Sequence, residues 1–294
     1  MSGAFEIGSN GNRVGAKLVG VEVNLCETIT PSRNRVHDLS TSKGPAVRIR
    51  FAIPIIDETD AWLVVDKPPH IEVHPSKPGG ARTLWDNLRE LLAYEMANGG
   101  QVSIINRLDR ETSGLTLIAK NRRAARSFSL QMQSRAISKE YLAIVWGWPE
   151  IDEWTVDLPL LRLGSVQPFR IYLKQGVHRE GLPARTRFCV EQRFSRSTSN
   201  GSKFALLRAF PETGRTHQIR VHLAESGHPI VGDKIYGPNE GCYLRFIETG
   251  WTPELEDQLL LRRHALHSTG LRLGRDGPGW EIGLAPDLAA FVAA

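Results

Sequence analysis

Cysteine is scarce in this chain of 294 residues. The three cysteines, Cys26, Cys189 and Cys242, lie far apart in the sequence and form no Cys-x-x-Cys pair. This spacing argues against a disulfide framework and against a zinc site built from cysteines. We therefore expect a protein of a reducing compartment and predict a cytoplasmic location.

Long hydrophobic runs and internal repeats are also missing. Residues 1–20 contain no continuous apolar stretch, so the sequence predicts neither a signal peptide nor a membrane span. Apolar residues nevertheless make up 41% of the chain, which is enough to build a sizeable core.

Acidic residues are fewer than basic ones. The chain has 32 Asp and Glu against 37 Lys and Arg, a formal net charge of +5. Residues 101–143 hold eight basic residues against three acidic ones, an excess as large as that of the whole chain. Net charge alone does not separate a polyanionic partner from a solvated basic surface, but this concentration favours a phosphate-rich ligand.

The apolar pattern predicts an α+β fold with a large mixed, mostly antiparallel β-sheet and flanking helices. Strands are predicted at 47–51, 62–66, 115–119, 141–146, 185–194, 204–210, 264–273 and 280–284. Helices are predicted from Thr83 to Gly99, from Asn121 to Ser134, from Gly214 to Ser226 and after Pro286, and a polar loop at 195–203. Residues 1–46 are predicted to be a partly ordered extension, and residues 47–294 one domain.

The stretch Asn106–Gly114 places one carboxylate, Asp109, between Arg107 and Arg110. Its last three residues, Thr-Ser-Gly, are typical of a turn. We expect a strand to end before this stretch, a turn to expose Asp109, and a second strand to follow. The flanking guanidiniums are expected to keep the carboxylate ionised. Taken alone, the same pattern also describes an ordinary surface ion pair.

Five stretches, taken in order, resemble the RluA-type pseudouridine synthase family. They are Val65–Pro68, Asn106–Gly114, Lys139–Ala143 with Trp146-Gly147, Thr213–His222, and Gly227–Asp233 with Tyr236-Gly237. The second and fourth are long and unusual in composition, so chance does not account for both. The resemblance runs from about residue 53 to the C-terminus. It implies that residues 47–294 form a pseudouridine synthase catalytic domain.

The resemblance implies catalytic roles for three residues. Asp109 stands at the family's essential aspartate, which drives detachment of uracil from ribose before the base is rejoined through carbon. Arg220 stands at the arginine that pairs with this carboxylate. Tyr141 stands at the active-site tyrosine, whose ring can stack on uracil. Its hydroxyl, with an ordinary pKa of about 10, would need help to act as a base.

The resemblance also implies RNA contacts. Arg107 matches an arginine that can occupy the space left by a flipped nucleotide, and Arg110 lies close to it. Lys67, Arg215 and His217 lie in matching motifs. We expect Lys67 to be structural or to contact phosphate, and Arg215 and His217 to support the site.

Two features depart from the family. Asn106 stands where the family usually has histidine, so a titratable group is lost beside the carboxylate, and we expect fold and activity to be retained. The first 46 residues are short for the separate RNA-binding domain of many relatives, which predicts a compact member. The histidines at 217, 222, 264 and 267 match no standard ligand spacing, so no metal is expected.

The sequence therefore predicts an isomerase that converts uridine to pseudouridine in structured RNA, with ribosomal RNA as the first choice of substrate and transfer RNA as the second. We expect no cofactor and a monomer. Two alternatives stay open. One is a non-catalytic RNA-binding or ribosome-assembly module on the same fold. The other is an Asp-dependent hydrolase of nucleosides or sugars, whose second carboxylate would be Asp233 or Glu212.

Overall fold

The computed structural model describes residues 53–76 and 79–294. The predicted extension 1–46 and the predicted strand 47–51 lie outside the described residues. The strands are β1 (Ile55–Glu58), β2 (Trp62–Lys67), β3 (Ser103–Ile104), β4 (Ser113–Ala119), β5 (Ile137–Trp146), β6 (Glu153–Asp157), β7 (Leu160–Arg162), β8 (Gln175–Val177), β9 (Arg185–Thr198), β10 (Gly201–Pro211), β11 (Leu266–Leu273) and β12 (Gly279–Glu281). The helices are α1 (Leu84–Leu91), α2 (Ala93–Ala97), α3 (Arg122–Gln133), α4 (Gln218–Glu225), α5 (Gly241–Thr249), α6 (Pro253–Leu259) and α7 (Pro286–Ala293).

Ten strands form one large sheet. Its order is β1-β2-β4-β11-β5-β10-β9-β6, with β3 paired to β4 and β12 paired to β11. Strands β7 and β8 form a separate antiparallel pair. Among the described strands, every pairing is antiparallel except that of β4 with β11. The predicted α+β fold, with a mostly antiparallel sheet and flanking helices, is confirmed.

The parallel contact between β4 and β11 fixes the point where the Asp109 turn enters the sheet. Gly114 lies opposite Ser268 in this contact. Gly114 has φ +112°, and a Cβ there would lie 2.3 Å from the Ser268 carbonyl oxygen. Because no other residue can approach so closely, glycine is required where the turn joins the centre of the sheet.

Three helix boundaries show where local sequence signals succeed and fail. Thr83 caps α1 through the predicted capping box with Asp86. The predicted single helix to Gly99 is wrong, because Leu92 leaves helical geometry and separates α1 from α2. Helix α4 begins at Gln218 rather than at Gly214, because His217 adopts a left-handed conformation with φ 56°.

The predicted polar loop at 195–203 is wrong. Strand β9 continues to Thr198 and β10 already begins at Gly201, so only two residues form the turn. Side chains alternate between the two faces of a strand, and here the hairpin extends beyond the core with polar residues on its exposed positions. Polarity alone therefore did not distinguish a loop from an exposed hairpin.

Apolar packing on both faces of the sheet rigidifies the strands that carry the turn. The largest core cluster joins β5, β9, β10, α4 and α7, and includes Ile144, Phe188, Phe204 and Leu223. A second cluster packs Phe128 of α3 against β4. In the part of the chain that the structure describes, no helix combines the length and apolar character needed to cross a membrane.

Candidate active site

Asn106 fixes the start of the turn that carries Asp109, because its side chain hydrogen-bonds to β4. The Asn106 side chain is buried, and its amide N–H donates to the Leu115 carbonyl at 2.9 Å. Its Oδ1 accepts the Leu117 backbone N–H at 2.7 Å. The side-chain amide therefore pairs with one backbone carbonyl and one backbone N–H of β4, as a neighbouring strand would. The position that departs from the resembled family therefore has a clear structural use that needs no titratable group.

Two histidines, one just before β11 and one within it, hydrogen-bond to the last residues of the same turn. His264 Nε2 lies 2.7 Å from the Thr112 hydroxyl, and His267 Nδ1 lies 2.9 Å from the Ser113 hydroxyl. Both rings are buried, and burial lowers the pKa of each. The rings are therefore neutral at pH 7 and act as hydrogen-bonding braces.

Arg220 of α4 joins two carboxylates. Its Nη1 donates to Asp109 Oδ2 at 2.8 Å, while Nε and Nη2 donate to the two oxygens of Asp233 at 2.7 and 2.9 Å. Asp233 is fully buried and also accepts the backbone N–H groups of Ile235 and Tyr236. Asp233 therefore fixes the plane of the guanidinium, which leaves Nη1 directed at Asp109.

The charge of Asp109 is stabilised from one side of the cleft. Burial opposes its ionisation, but the His217 ring, in its protonated form, and the Arg220 guanidinium lower the pKa of the carboxyl to about 2. Burial and the Arg220 charge in turn lower the pKa of His217 to about 4. At neutral pH the His217 ring is therefore uncharged, and Arg220 is the cation that holds Asp109 ionised.

The arginines that flank Asp109 in sequence do not have the role expected of them. Both Arg107 and Arg110 are exposed, and neither forms an ion pair with Asp109. Arg110 instead approaches the Glu111 carboxylate at 3.5 Å. The prediction that these two guanidiniums keep Asp109 ionised is wrong, because the ion-pair partner of Asp109 is Arg220, while Arg107 and Arg110 remain exposed at the edges of the cavities that Asp109 lines.

Tyr141 is buried on β5 and faces the same cavity as Asp109. Its cross-strand partner is Ser268, which is also a hydrogen-bond partner of its hydroxyl. Burial and the charge of Asp109 raise the pKa of Tyr141 to about 12. The hydroxyl is therefore protonated throughout the neutral pH range and can donate a hydrogen bond.

A cavity of about 290 Å³ opens beside Asp109. Six of the eight predicted site residues line it, namely Arg107, Asp109, Tyr141, Arg215, His217 and Arg220. Apolar side chains, including Leu108, Ile219 and Leu266, complete its walls. This combination of one carboxylate, four cationic side chains, a tyrosine ring and apolar walls suits a ligand that has both a flat ring and anionic groups.

Two predicted residues lie elsewhere. Arg110 lines a second cavity of about 640 Å³ that also touches Asp109. Lys67 is completely buried, and its ammonium donates to the carbonyls of Pro68, Ile71 and Arg110 at 2.8, 3.1 and 3.3 Å. Of the two roles expected for Lys67, this position favours the structural one over contact with phosphate.

Sequence reasoning missed two supporting ion pairs. The sequence indicates Asp233 as the end of a matching motif and as a candidate second carboxylate for hydrolysis, whereas in the structure it anchors Arg220. Lys234 donates to both oxygens of Glu111 at 2.9 and 3.0 Å and braces the residue that follows Arg110. Both residues lie beside or within the motifs, but their partners are distant in sequence, so no local spacing could have revealed the pairs.

Comparison with known proteins identifies similar chains. A family model described as RNA pseudouridylate synthase matches residues 61–225. Ribosomal large subunit pseudouridine synthase D of Nitrosomonas europaea is 36% identical over 250 residues, which cover 83% of this chain and 66% of that protein. The dual-specificity RNA pseudouridine synthase RluA of Vibrio vulnificus is 36% identical over 187 residues, which cover 63% of this chain and 70% of that protein. The chain thus spans about two thirds of the length of these relatives.

Two solved human structures share the fold. Human RNA Pseudouridylate Synthase Domain Containing 1 superposes with a TM-score of 0.58 at 26% identity, covering 80% of this chain and 83% of that chain. Human RNA Pseudouridylate Synthase Domain Containing 4 superposes with a TM-score of 0.60 at 22% identity, covering 80% and 90%. The second likeness concerns the fold alone.

Proposed function

Because the chain belongs to the RNA pseudouridylate synthase family, we propose that it isomerises uridine to pseudouridine in RNA with Asp109 as the catalytic carboxylate. The observation that carries the proposal is the contact between Asp109 and Arg220 at the wall of a cavity that Tyr141 also lines. This ion pair keeps the Asp109 carboxylate ionised at a position that bound substrate would shield from water.

The reaction needs such a carboxylate. The bond from N1 of uracil to C1′ of ribose breaks, the base turns, a bond from C5 to C1′ forms, and the proton on C5 leaves. No atom is added or lost overall, since the departing proton is balanced by one gained at N1. Asp109 can assist by attacking carbon as a nucleophile or by removing a proton, and each route requires the ionised form.

Tyr141 is proposed to hold the base. Its ring lines the cavity, and its pKa of about 12 keeps the hydroxyl protonated at neutral pH. Tyr141 is therefore suited to stacking on uracil and donating a hydrogen bond, and poorly suited to removing a proton before substrate binds.

The remaining predicted residues are proposed to serve RNA binding. Arg107 is exposed at the edge of the cavity, where a guanidinium can replace a flipped nucleotide in the stack. Arg110 and Arg215 supply further positive charge for the RNA backbone, while His217 and Lys67 support the site.

Ribosomal RNA is the proposed first substrate and transfer RNA the second. A monomer and the division into 1–46 and 47–294 stay predictions.

The hydrolase alternative requires a second carboxylate near the sugar, and neither candidate, Asp233 or Glu212, is available for that role. Both oxygens of Asp233 are occupied by Arg220, and Asp233 has no exposed surface. Glu212 lies on the exterior and accepts a hydrogen bond from Arg185 Nε at 3.1 Å. An acid–base partner for hydrolysis would need to be accessible to the sugar.

RNA transcribed with uridine tritiated at C5 tests the proposal. Forming the new bond at C5 must release tritium to water, so we expect release by the purified protein and none by Asp109→Asn. Free uracil without pseudouridine would instead support the hydrolase. Equal RNA binding by both proteins, with no release from any RNA tested, would support the assembly module.

A further inference from the structure

Lys139 of β5 is a cation in the Asp109 cavity without an anionic partner in the described residues. It precedes Tyr141 by two positions, so both side chains lie on the same face of the strand. Its ammonium has one hydrogen bond, to the Thr213 carbonyl at a long 3.4 Å. Glu140, the carboxylate adjacent in sequence, is paired with Arg208 at 3.0 Å.

Other buried lysines of this protein have more ion-pair or hydrogen-bond partners for their ammonium groups than Lys139 has. Lys120 contacts the carboxylates of Glu58 and Glu95, and Lys234 contacts that of Glu111. Lys67 has three carbonyl acceptors. Burial alone lowers the pKa of Lys139, which agrees with the absence of a nearby anion. A partly buried ammonium with one weak acceptor is costly in the free protein, so a bound anion would stabilise it.

The ammonium is also accessible from the cavity. A Cβ placed on Gly214 would lie 3.5 Å from Lys139 Nζ, so the missing side chain leaves one side of the ammonium uncovered. The neighbouring cation Arg215 has its Nε engaged with the Pro183 carbonyl at 3.1 Å. Lys139 is therefore a well-placed donor for a ligand that enters beside Asp109.

We propose that Lys139 binds a phosphodiester group of the RNA strand directly beside the target uridine. This inference rests on the proposed function for the identity of the ligand. A uridine within a strand carries a phosphate on each side of its ribose, and the ribose must reach Asp109. One of these phosphates therefore enters the region that Lys139 faces and supplies the missing anion.

A binding experiment with neutral phosphates tests the contact. An RNA fragment with the target uridine is synthesised with each nearby phosphate replaced, one at a time, by uncharged methylphosphonate. Binding is measured with Asp109→Asn protein, which prevents turnover. One replacement beside the uridine should weaken binding about tenfold, the effect of one charge-assisted hydrogen bond. In the Lys139→Gln background that same replacement should have no further effect.

Two variants serve as controls. Lys203→Gln removes the same charge at an exposed position away from the cavity and should leave the pattern of sensitive phosphates unchanged. Lys139→Arg should keep part of the sensitivity. If Lys139→Gln weakens binding equally for every RNA, or if no single phosphate matters, Lys139 contacts something other than a phosphate and the proposal is overturned.

Thermal unfolding separates binding from a structural role. Removing an uncompensated ammonium should leave the melting temperature of Lys139→Gln unchanged or higher, whereas a structural lysine would lower it when replaced. The phosphate scan measures binding and does not depend on turnover. If tritium release fails, the scan is performed on the tightest-binding RNA fragment, so failure of the proposed isomerase activity and failure of this contact give different results.

Discussion

Replacing Asp233 by asparagine would remove the buried charge that orients Arg220. Asparagine keeps the size of the side chain but presents an NH2 group to a guanidinium that can only donate. At least one of the two charge-assisted hydrogen bonds, at 2.7 and 2.9 Å, must therefore be lost. Breaking one partner of a buried pair costs about 3–5 kcal/mol. Since Arg220 keeps Asp109 as an anion, we expect a loss of about 3 kcal/mol in the free energy of unfolding.

The pair of Arg263 with Asp287 provides a matched control. Its two hydrogen bonds also measure 2.7 and 2.9 Å, but the Asp287 side chain is 48% exposed, whereas that of Asp233 is 0% exposed. Although Arg263 is also buried, water reaches the Asp287 side of this pair and can hydrogen-bond to the guanidinium there, so Asp287→Asn should cost clearly less than Asp233→Asn. Urea unfolding at pH 7, followed by tryptophan fluorescence, measures both. Equal losses in the two variants would refute the argument from burial.

Three further predictions concern the turn and its charge. Asn106→Ala removes both hydrogen bonds to β4 and should cost about 2 kcal/mol in urea unfolding; an unchanged midpoint would contradict the bracing role. Gly114→Ala brings a Cβ within 2.3 Å of the Ser268 oxygen and should greatly lower the melting temperature, while wild-type melting would show that the strands can separate there. The folded pKa of Asp109, about 2, lies below the ordinary 3.8, so its contribution of about 2 kcal/mol is complete above about pH 4 and lost toward pH 2. The difference in unfolding free energy between wild type and Asp109→Asn should therefore shrink over that interval, and a constant difference would argue against the lowered pKa.

The central turn could be predicted because its determinants are local. The Thr-Ser-Gly sequence indicated the turn, the apolar run after it indicated β4, and the motif resemblance identified Asp109, Tyr141 and Arg220 as a group. The structure brings these three side chains to one cavity, and the predicted family is confirmed by the matching family model and by relatives at 36% identity.

The electrostatic organisation of the site could not be predicted in the same way. Sequence neighbours suggested that Arg107 and Arg110 neutralise Asp109, but the cation that contacts it, Arg220, lies 111 residues away on α4, and only the family resemblance pointed to it. The pairing of Glu111 with Lys234 spans 123 residues. Such contacts depend on how β4, β11 and α4 pack together, and no periodic pattern in the sequence encodes that packing.

Mapping of pseudouridine tests the central claim most directly. Total RNA from a strain that lacks this gene is incubated with purified protein, pseudouridines are labelled chemically, and their positions are compared with those produced by Asp109→Asn. We expect new pseudouridines at defined positions with the wild-type protein and none of them with the variant. New sites that persist with Asp109→Asn would contradict the role of this carboxylate, and no new site in any RNA would contradict the proposed activity.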